Sequence, residues 1–180
     1  MTPLCELCMK YQSDKSPEIC HNYTPFYHEL LKDKPVKKFL EVGINRGASL
    51  RMWRDYFSSA EIFGIDIDSN CLFTEERIHT YQCDASNPLA LKNLMIQLGN
   101  DFDVILEDAS HIVEHQIIAA NLLPEFLAPN GIFMVEDAEF PDIVSASIKY
   151  SHEIKRLYLP SHVVHPIPHP QNDNIIIINK

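Results

Sequence analysis

From residue 36 onward, short apolar runs alternate with amphipathic ones, and that alternation leaves few folds open to the chain. VKKFLEVG (36–43), AEIFGIDI (60–67), IHTYQCD (78–84), FDVILE (102–107), NGIFMVED (130–137), EIKRLYL (153–159) and NIIIIN (174–179) read as strands. Between them ASLRMWRDYF (48–57) places Leu50, Trp53, Tyr56 and Phe57 on one helical face. PLALKNLMIQL (88–98) and VEHQIIAANLLPEFL (113–127) read as helices, the second with Pro124 near its end, and another helix is expected at about 141–151. FDVILE is almost wholly apolar, as suits a strand buried on both faces of a parallel sheet. The pattern predicts an α/β fold: a doubly wound, mostly parallel sheet with an antiparallel C-terminal strand.

In such sheets ligands bind beyond the carboxyl ends of the strands. Here those ends are Glu41-Val42-Gly43, Asp66, Asp84, Glu107-Asp108 and Glu136-Asp137, and each carries an acid. One acidic strand end is commonplace. Five along one edge point to a site.

Bulk properties narrow the function. A net charge of −10 and a pI near 5.3 exclude a broad basic surface for nucleic acid. The basic groups Lys32, Lys34, Lys37, Lys38 and Arg46, Arg51, Arg54 fit solvated faces. No run of roughly 18 to 20 apolar residues is available to span a bilayer, and the first residues lack the plan of a signal peptide. Five cysteines, an odd number, fit a reducing compartment better than a disulfide framework. The expectation is a cytoplasmic protein of one domain, 1–180, with a helical cap segment (1–35) before a core (36–180). Cys5-x-x-Cys8 with Cys20-His21 makes a poor zinc set, because adjacent ligands rarely face one metal. Leu4, Leu7, Cys8 and Tyr11 fall instead at helical spacing, which makes Cys8 a core residue.

FLEVGINRGASL (39–50) follows the first strand and opens the first core helix. Neither register of its glycines gives the dinucleotide fingerprint G-x-G-x-x-G, since Asn45 and Ala48, or Glu41 and Arg46, stand where glycine is required. No Gly-Lys-Ser/Thr of a phosphate loop follows. The segment does contain E-x-G-x-x-x-G, and with Asp66 and Asp84 at the next two strand ends it resembles the class I S-adenosylmethionine-dependent methyltransferases. That resemblance implies a Rossmann-like core and a cofactor site at Glu41, Gly43, Gly47, Asp66, Asp84 and Asp108. Asp66 would accept from the ribose diol and Asp84 would lie on the adenine side.

Asp108 and His111 stand three residues apart at the start of a helix, so they can face one side. Twenty-eight residues beyond Asp108, the next strand ends in Glu136-Asp137. Three carboxylates in one crevice repel each other unless a cation sits among them, and a hard ion such as Mg²⁺ takes oxygen ligands. Helix capping by Asp108, a solvated His111 and a solvated Glu136-Asp137 loop remain the plain alternatives. D-x-S-H followed by E-D at this spacing resembles the metal-dependent macrolide sugar O-methyltransferases and the wider group annotated with cephalosporin hydroxylase. The N-terminal YQSDKS…HNYTPFYHELL is similar to a segment of the same group. The resemblance implies metal ligation by Asp108, Glu136 and Asp137, with His111 as general base toward a sugar or glycan hydroxyl. A catechol-like diol is the second acceptor class.

The chain departs from that pattern at Glu107 and Ala109, where the group usually carries Asp and Gly, at Gln12, where Gly is common, and in lacking a long extra N-terminal domain. Glu107, Glu114 and His115 are expected on the surface. Asp14, Lys15, His21 and Tyr23 would form a lid over the cofactor or simply pack and pair. His162, His165 and His169 lie in a Pro- and His-rich loop with no assigned role. A catalytically silent cofactor-binding module and a metal-dependent hydroxylase or hydrolase are the rival functions, and a homo-oligomer is possible.

Overall fold

The structure is a computed structural model and describes residues 1–158 and 172–180; His162, His165 and His169 fall outside them. The chain begins with two helices, α1 (Pro3–Tyr11) and α2 (Tyr23–Leu31). The core continues β1 (Lys38–Val42), α3 (Ala48–Tyr56), β2 (Glu61–Asp66), β3 (Thr74–Glu75), β4 (Ile78–Gln82), α4 (Pro88–Leu98) and β5 (Phe102–Glu107). It closes with α5 (Val113–Leu122), β6 (Leu127–Val135), α6 (Pro141–Ala146), β7 (Glu153–Tyr158) and β8 (Asn172–Asn179). Among the described residues the strands form one sheet in the order β3-β4-β2-β1-β5-β6-β8-β7. Strands β4, β2, β1, β5 and β6 run parallel, while β8 is antiparallel to both β6 and β7. The two-residue β3, antiparallel to β4, was not visible in the sequence. Among the described residues no helix is long and apolar enough to cross a membrane.

Local chemistry sets the helix ends. Thr2 caps α1 by accepting from the Cys5 N–H, with Pro3 in the first turn. Asn87 caps α4 by accepting from Leu89 and Ala90, and Gly99 ends it at a positive φ. The expected helix over 113–127 stops at Leu122, because Pro124 has no N–H to give and the chain tightens into a 3₁₀ turn over Leu123–Phe126. The helix expected at 141–151 ends at Ala146. Asn121 accounts for that: its side chain donates to the Ser147 carbonyl and accepts from the Lys149 N–H, drawing that backbone away from helical pairing.

Strand alternation divides the core into two layers. Phe39, Val104, Leu106, Ile132 and Met134 pack on the face covered by α1, α2 and α3. Leu40, Val42, Ile105, Phe133 and Val135 pack on the other face, beneath α4 and α5. Cys8 lies in the first layer, as its spacing predicted. A partly buried network fixes α1 on α3: Lys10 donates to Asp55 at 2.8 Å, Tyr11 donates to the same carboxylate, and Arg54 donates to the Tyr11 hydroxyl at 3.1 Å. It delivers the segment after α1 to the carboxyl ends of the strands.

Candidate active site

The same period-two alternation sorts the acids. On β1, Glu41 follows Phe39 on the face covered by the N-terminal helices; Asp108 follows Leu106 there, and Glu136 follows Met134. Register then makes them neighbours. Glu41 pairs with Leu106 and Glu107 with Val135, so Asp108 and Glu136 stand side by side just past the strand ends. Backbone bonds from Asp108 N to Val42 O and from Glu136 N to Glu107 O, each 2.9 Å, hold that edge.

Lys15 meets these three acids. Its side chain is 2% exposed, and its ammonium donates to Asp108 Oδ2 and, at 2.5 Å, to Glu136 Oε2; Glu41 Oε1 lies 3.7 Å away. Burial works against the charge on Lys15, but the carboxylates of Asp108, Glu136 and Glu41 outweigh it and hold the ammonium well above the ordinary lysine range. Tyr27 donates to the other oxygen of Glu136 at 2.5 Å. Tyr23 donates to Asp137 Oδ1 at 2.6 Å and stacks on His21. His21 Nδ1 lies 3.0 Å from Asp173, a buried acid on β8, whose other oxygen accepts from the Asn22 N–H. Lys15, His21 and Tyr23 therefore pack and pair against acids. Of the expected lid residues, Asp14 is exposed and lies on the wall of the cleft described next, where Lys15 also shows.

A cleft of about 860 Å³ runs along the carboxyl ends of β1, β2, β4 and β5, within the range of small-molecule sites. Gly43, Asp66, Asp84 and Asp108 line it. Gly43 adopts φ +101°, and a Cβ there would lie 2.1 Å from the Asp108 carbonyl oxygen, so only glycine lets β1 turn under β5. Asp66 accepts from the Ile44 and Asn45 N–H groups at 2.8 and 3.2 Å, shaping the turn after β1. Asp84 accepts from both the N–H and the hydroxyl of Ser86.

Two expected cofactor residues do not lie on the wall. Glu41 is fully buried beneath it, accepting from Ser49 at 2.8 Å, and burial pushes its carboxyl up to about 8 against the opposing pull of Lys15. Gly47 caps α3 at φ +73°, where a Cβ would strike the Phe73 ring. Glu107, expected on the surface, is 2% exposed and borders the cleft at the end of β5. Among the described residues its Oε2 has no hydrogen-bond partner, and burial, helped by Asp108, pushes the carboxyl up to about 8. Glu114 is exposed as expected, whereas His115 is half-buried on the cleft wall, 2.8 Å from the Ser110 hydroxyl.

At the far end Asp108, His111 and Asp137 converge, with one potential ligand atom from each within 4.8 Å of the others. His111 Nε2 is 3.9 Å from Asp137 Oδ2, and the imidazole is 41% exposed. Both residues hold left-handed backbone, φ 57° and 47°, a conformation that non-glycine residues keep only where the surroundings enforce it. Gln116 contributes to that hold by donating from α5 to the Glu136 carbonyl at 3.0 Å. Glu136, expected as a third metal ligand, is turned inward: Lys15 and Tyr27 take its two oxygens. The donor set left facing the cleft edge, two carboxylates and an imidazole, suits a divalent ion.

No family model matches the chain. Curated relatives do. A rhamnosyl tetracenomycin-C 2'-O-methyltransferase of Streptomyces olivaceus is 33% identical over 76% of this chain and 38% of its own length. Demethylmacrocin O-methyltransferase of Streptomyces fradiae is 32% identical over 74% of this chain and 36% of its own. The solved MycE methyltransferase of the mycinamycin pathway, in complex with Mg and SAH, superposes with a TM-score of 0.70 at 31% identity, over 79% of this chain and 39% of that one. The homologues of this chain are sugar O-methyltransferases. The fold is the Rossmann-like class I methyltransferase fold. The chain spans somewhat over a third of the length of these homologues.

Proposed function

We propose that this chain is an S-adenosylmethionine- and Mg²⁺-dependent O-methyltransferase acting on a hydroxyl of a sugar or sugar-bearing small molecule. The observation that carries the reading is the meeting of Asp108, His111 and Asp137 at the edge of the cleft floored by Gly43. The names of the homologues and the Mg and SAH bound to MycE support it.

The residues fit both groups. Gly43 leaves open the space a side chain would fill, Asp66 and Asp84 offer carboxylate oxygens along the wall, and Asp108 and Asp137 offer hard oxygen ligands. When bound, the ion supplies Lewis acidity that lowers a hydroxyl's pKa, and the cofactor supplies the methyl group. His111 takes the hydroxyl proton on its exposed imidazole. Asp137 orients that imidazole from 3.9 Å, and Tyr23 orients Asp137. Residues 1–35 act as a cap over the 36–180 core in one domain. The acidic surface disfavours nucleic acid, and the protein works in the cytoplasm, with a second copy as the assembly partner.

Calorimetry with SAH, with and without Mg²⁺, followed by a methyl-transfer assay on a glycosylated acceptor, tests the reading. His111→Ala is expected to lower turnover by about 10²- to 10⁴-fold with SAH affinity preserved. SAH binding without metal-dependent transfer to any diol would leave a silent module.

A further inference from the structure

We propose that Lys15 is a positioning residue for the candidate metal site: its buried ammonium is a protein-borne counter-cation that fixes Asp108 beside Glu136, so that Asp108 and Asp137 are set to receive a divalent ion. The proposal rests on the methyltransferase reading above. Neither acid is held this way by its own strand. Asp108 and Glu136 are adjacent only because β5 and β6 are in register, and two carboxylates at that spacing repel each other. One ammonium bridging them converts repulsion into a shared pair of contacts.

The distribution of oxygens matters. Glu136 has both of its oxygens engaged, by Lys15 and by Tyr27, and is 1% exposed. Lys15 takes only Oδ2 of Asp108, which remains 19% exposed at the cleft. The lysine thus withdraws one acid from solvent and aims the other. Its backbone is pinned as well as its side chain, since the Lys15 carbonyl accepts from the Tyr23 and Thr24 N–H groups at 3.1 and 3.0 Å and so caps α2. A buried ion set of this kind is a poor source of stability, because desolvation offsets the attraction. Its value lies in geometry, as with other groups that hydrogen-bond metal ligands.

The test is Mn²⁺ titration of the whole chain, read by electron paramagnetic resonance, for the wild type and Lys15→Met, with SAH affinity measured alongside. Lys15→Met removes the ammonium at similar volume. The expected result is Mn²⁺ binding weaker by about 10- to 100-fold, a larger factor than any accompanying loss of SAH affinity. A merely structural lysine would not split the two readouts. Lys15→Met binding Mn²⁺ as tightly as the wild type, or more tightly, overturns the proposal while leaving the functional reading intact. Should Lys15→Met fail to fold, K15M/E136Q removes the orphaned acid as well, and wild-type Mn²⁺ affinity in that variant also overturns it. A wild type that binds SAH but no Mn²⁺ overturns the metal reading itself and this proposal with it.

Discussion

At the proposed cofactor end of the cleft, Asp66 and Asp84 are partly exposed; each accepts from an N–H two residues on, and Asp66 also accepts from the Ile44 N–H of the turn after β1. At the acid end, Glu41, Glu107 and Glu136 are buried, and Lys15 reaches Glu136 from 121 positions away in the chain. One end is shaped by local turns that leave carboxylates open to a ligand's hydroxyls. The other is assembled from the N-terminal segment, three strand ends and β8, with Lys15 set among Glu41, Asp108 and Glu136. The contrast teaches that a similar row of acids can be left open along a cleft wall or drawn inward around a buried lysine, and that the covering segment decides which.

The variant that should disturb both ends at once is Gly43→Ala, since the added carbon meets the Asp108 carbonyl that joins them. A loss on the order of 3 kcal/mol or more is expected in urea unfolding; a loss near zero would mean that the two ends do not share this turn. Glu107→Gln isolates the acid end. In the folded protein Glu107 titrates near 8 against 4.5 unfolded, so between those pH values the folded state holds one more proton. Stability therefore falls as pH rises through that window, by about 1 kcal/mol per unit. The glutamine variant should show a shallower decline in urea midpoints taken from pH 5 to 8 in EDTA, with the share due to buried Glu41 and Glu136 remaining. Parallel curves would show that the Glu107 site is wetter than its burial indicates.

Asp66→Asn isolates the cofactor end. It should weaken SAH about tenfold, the loss of one charged hydrogen bond, and leave Mn²⁺ affinity unchanged; equal losses in both would erase the division. The smallest effect is expected at Gln12, which ends α1 in left-handed backbone at φ 57°. Glycine there should add about 0.5 kcal/mol to thermal stability without moving either affinity.

Much of this was legible in the sequence for physical reasons. Strand–helix alternation and acids at strand ends are local patterns, and they located the sheet and the acids Asp66, Asp84, Asp108 and Asp137 at its carboxyl edge. Capping chemistry at Asn87 and Gly99 gave α4 its expected bounds. What was missed depends on long-range packing. The inward turn of Glu136, the burial of Glu107 and the parts played by Tyr27, Asp173 and Gln116 follow from which layer covers each strand face. One signal was available: period-two counting from Phe39, Leu106 and Met134 puts Glu41, Asp108 and Glu136 on one face and Glu107 on the other. A lysine in the covering segment was then the natural counter-charge.

The most direct test of the account is anomalous scattering at the manganese edge from crystals grown with Mn²⁺ and SAH. The account predicts one strong peak within about 2.1 Å of carboxylate oxygens of Asp108 and Asp137, beside the SAH sulfur. A bound SAH with no peak there, or with the ion bound elsewhere, would contradict it.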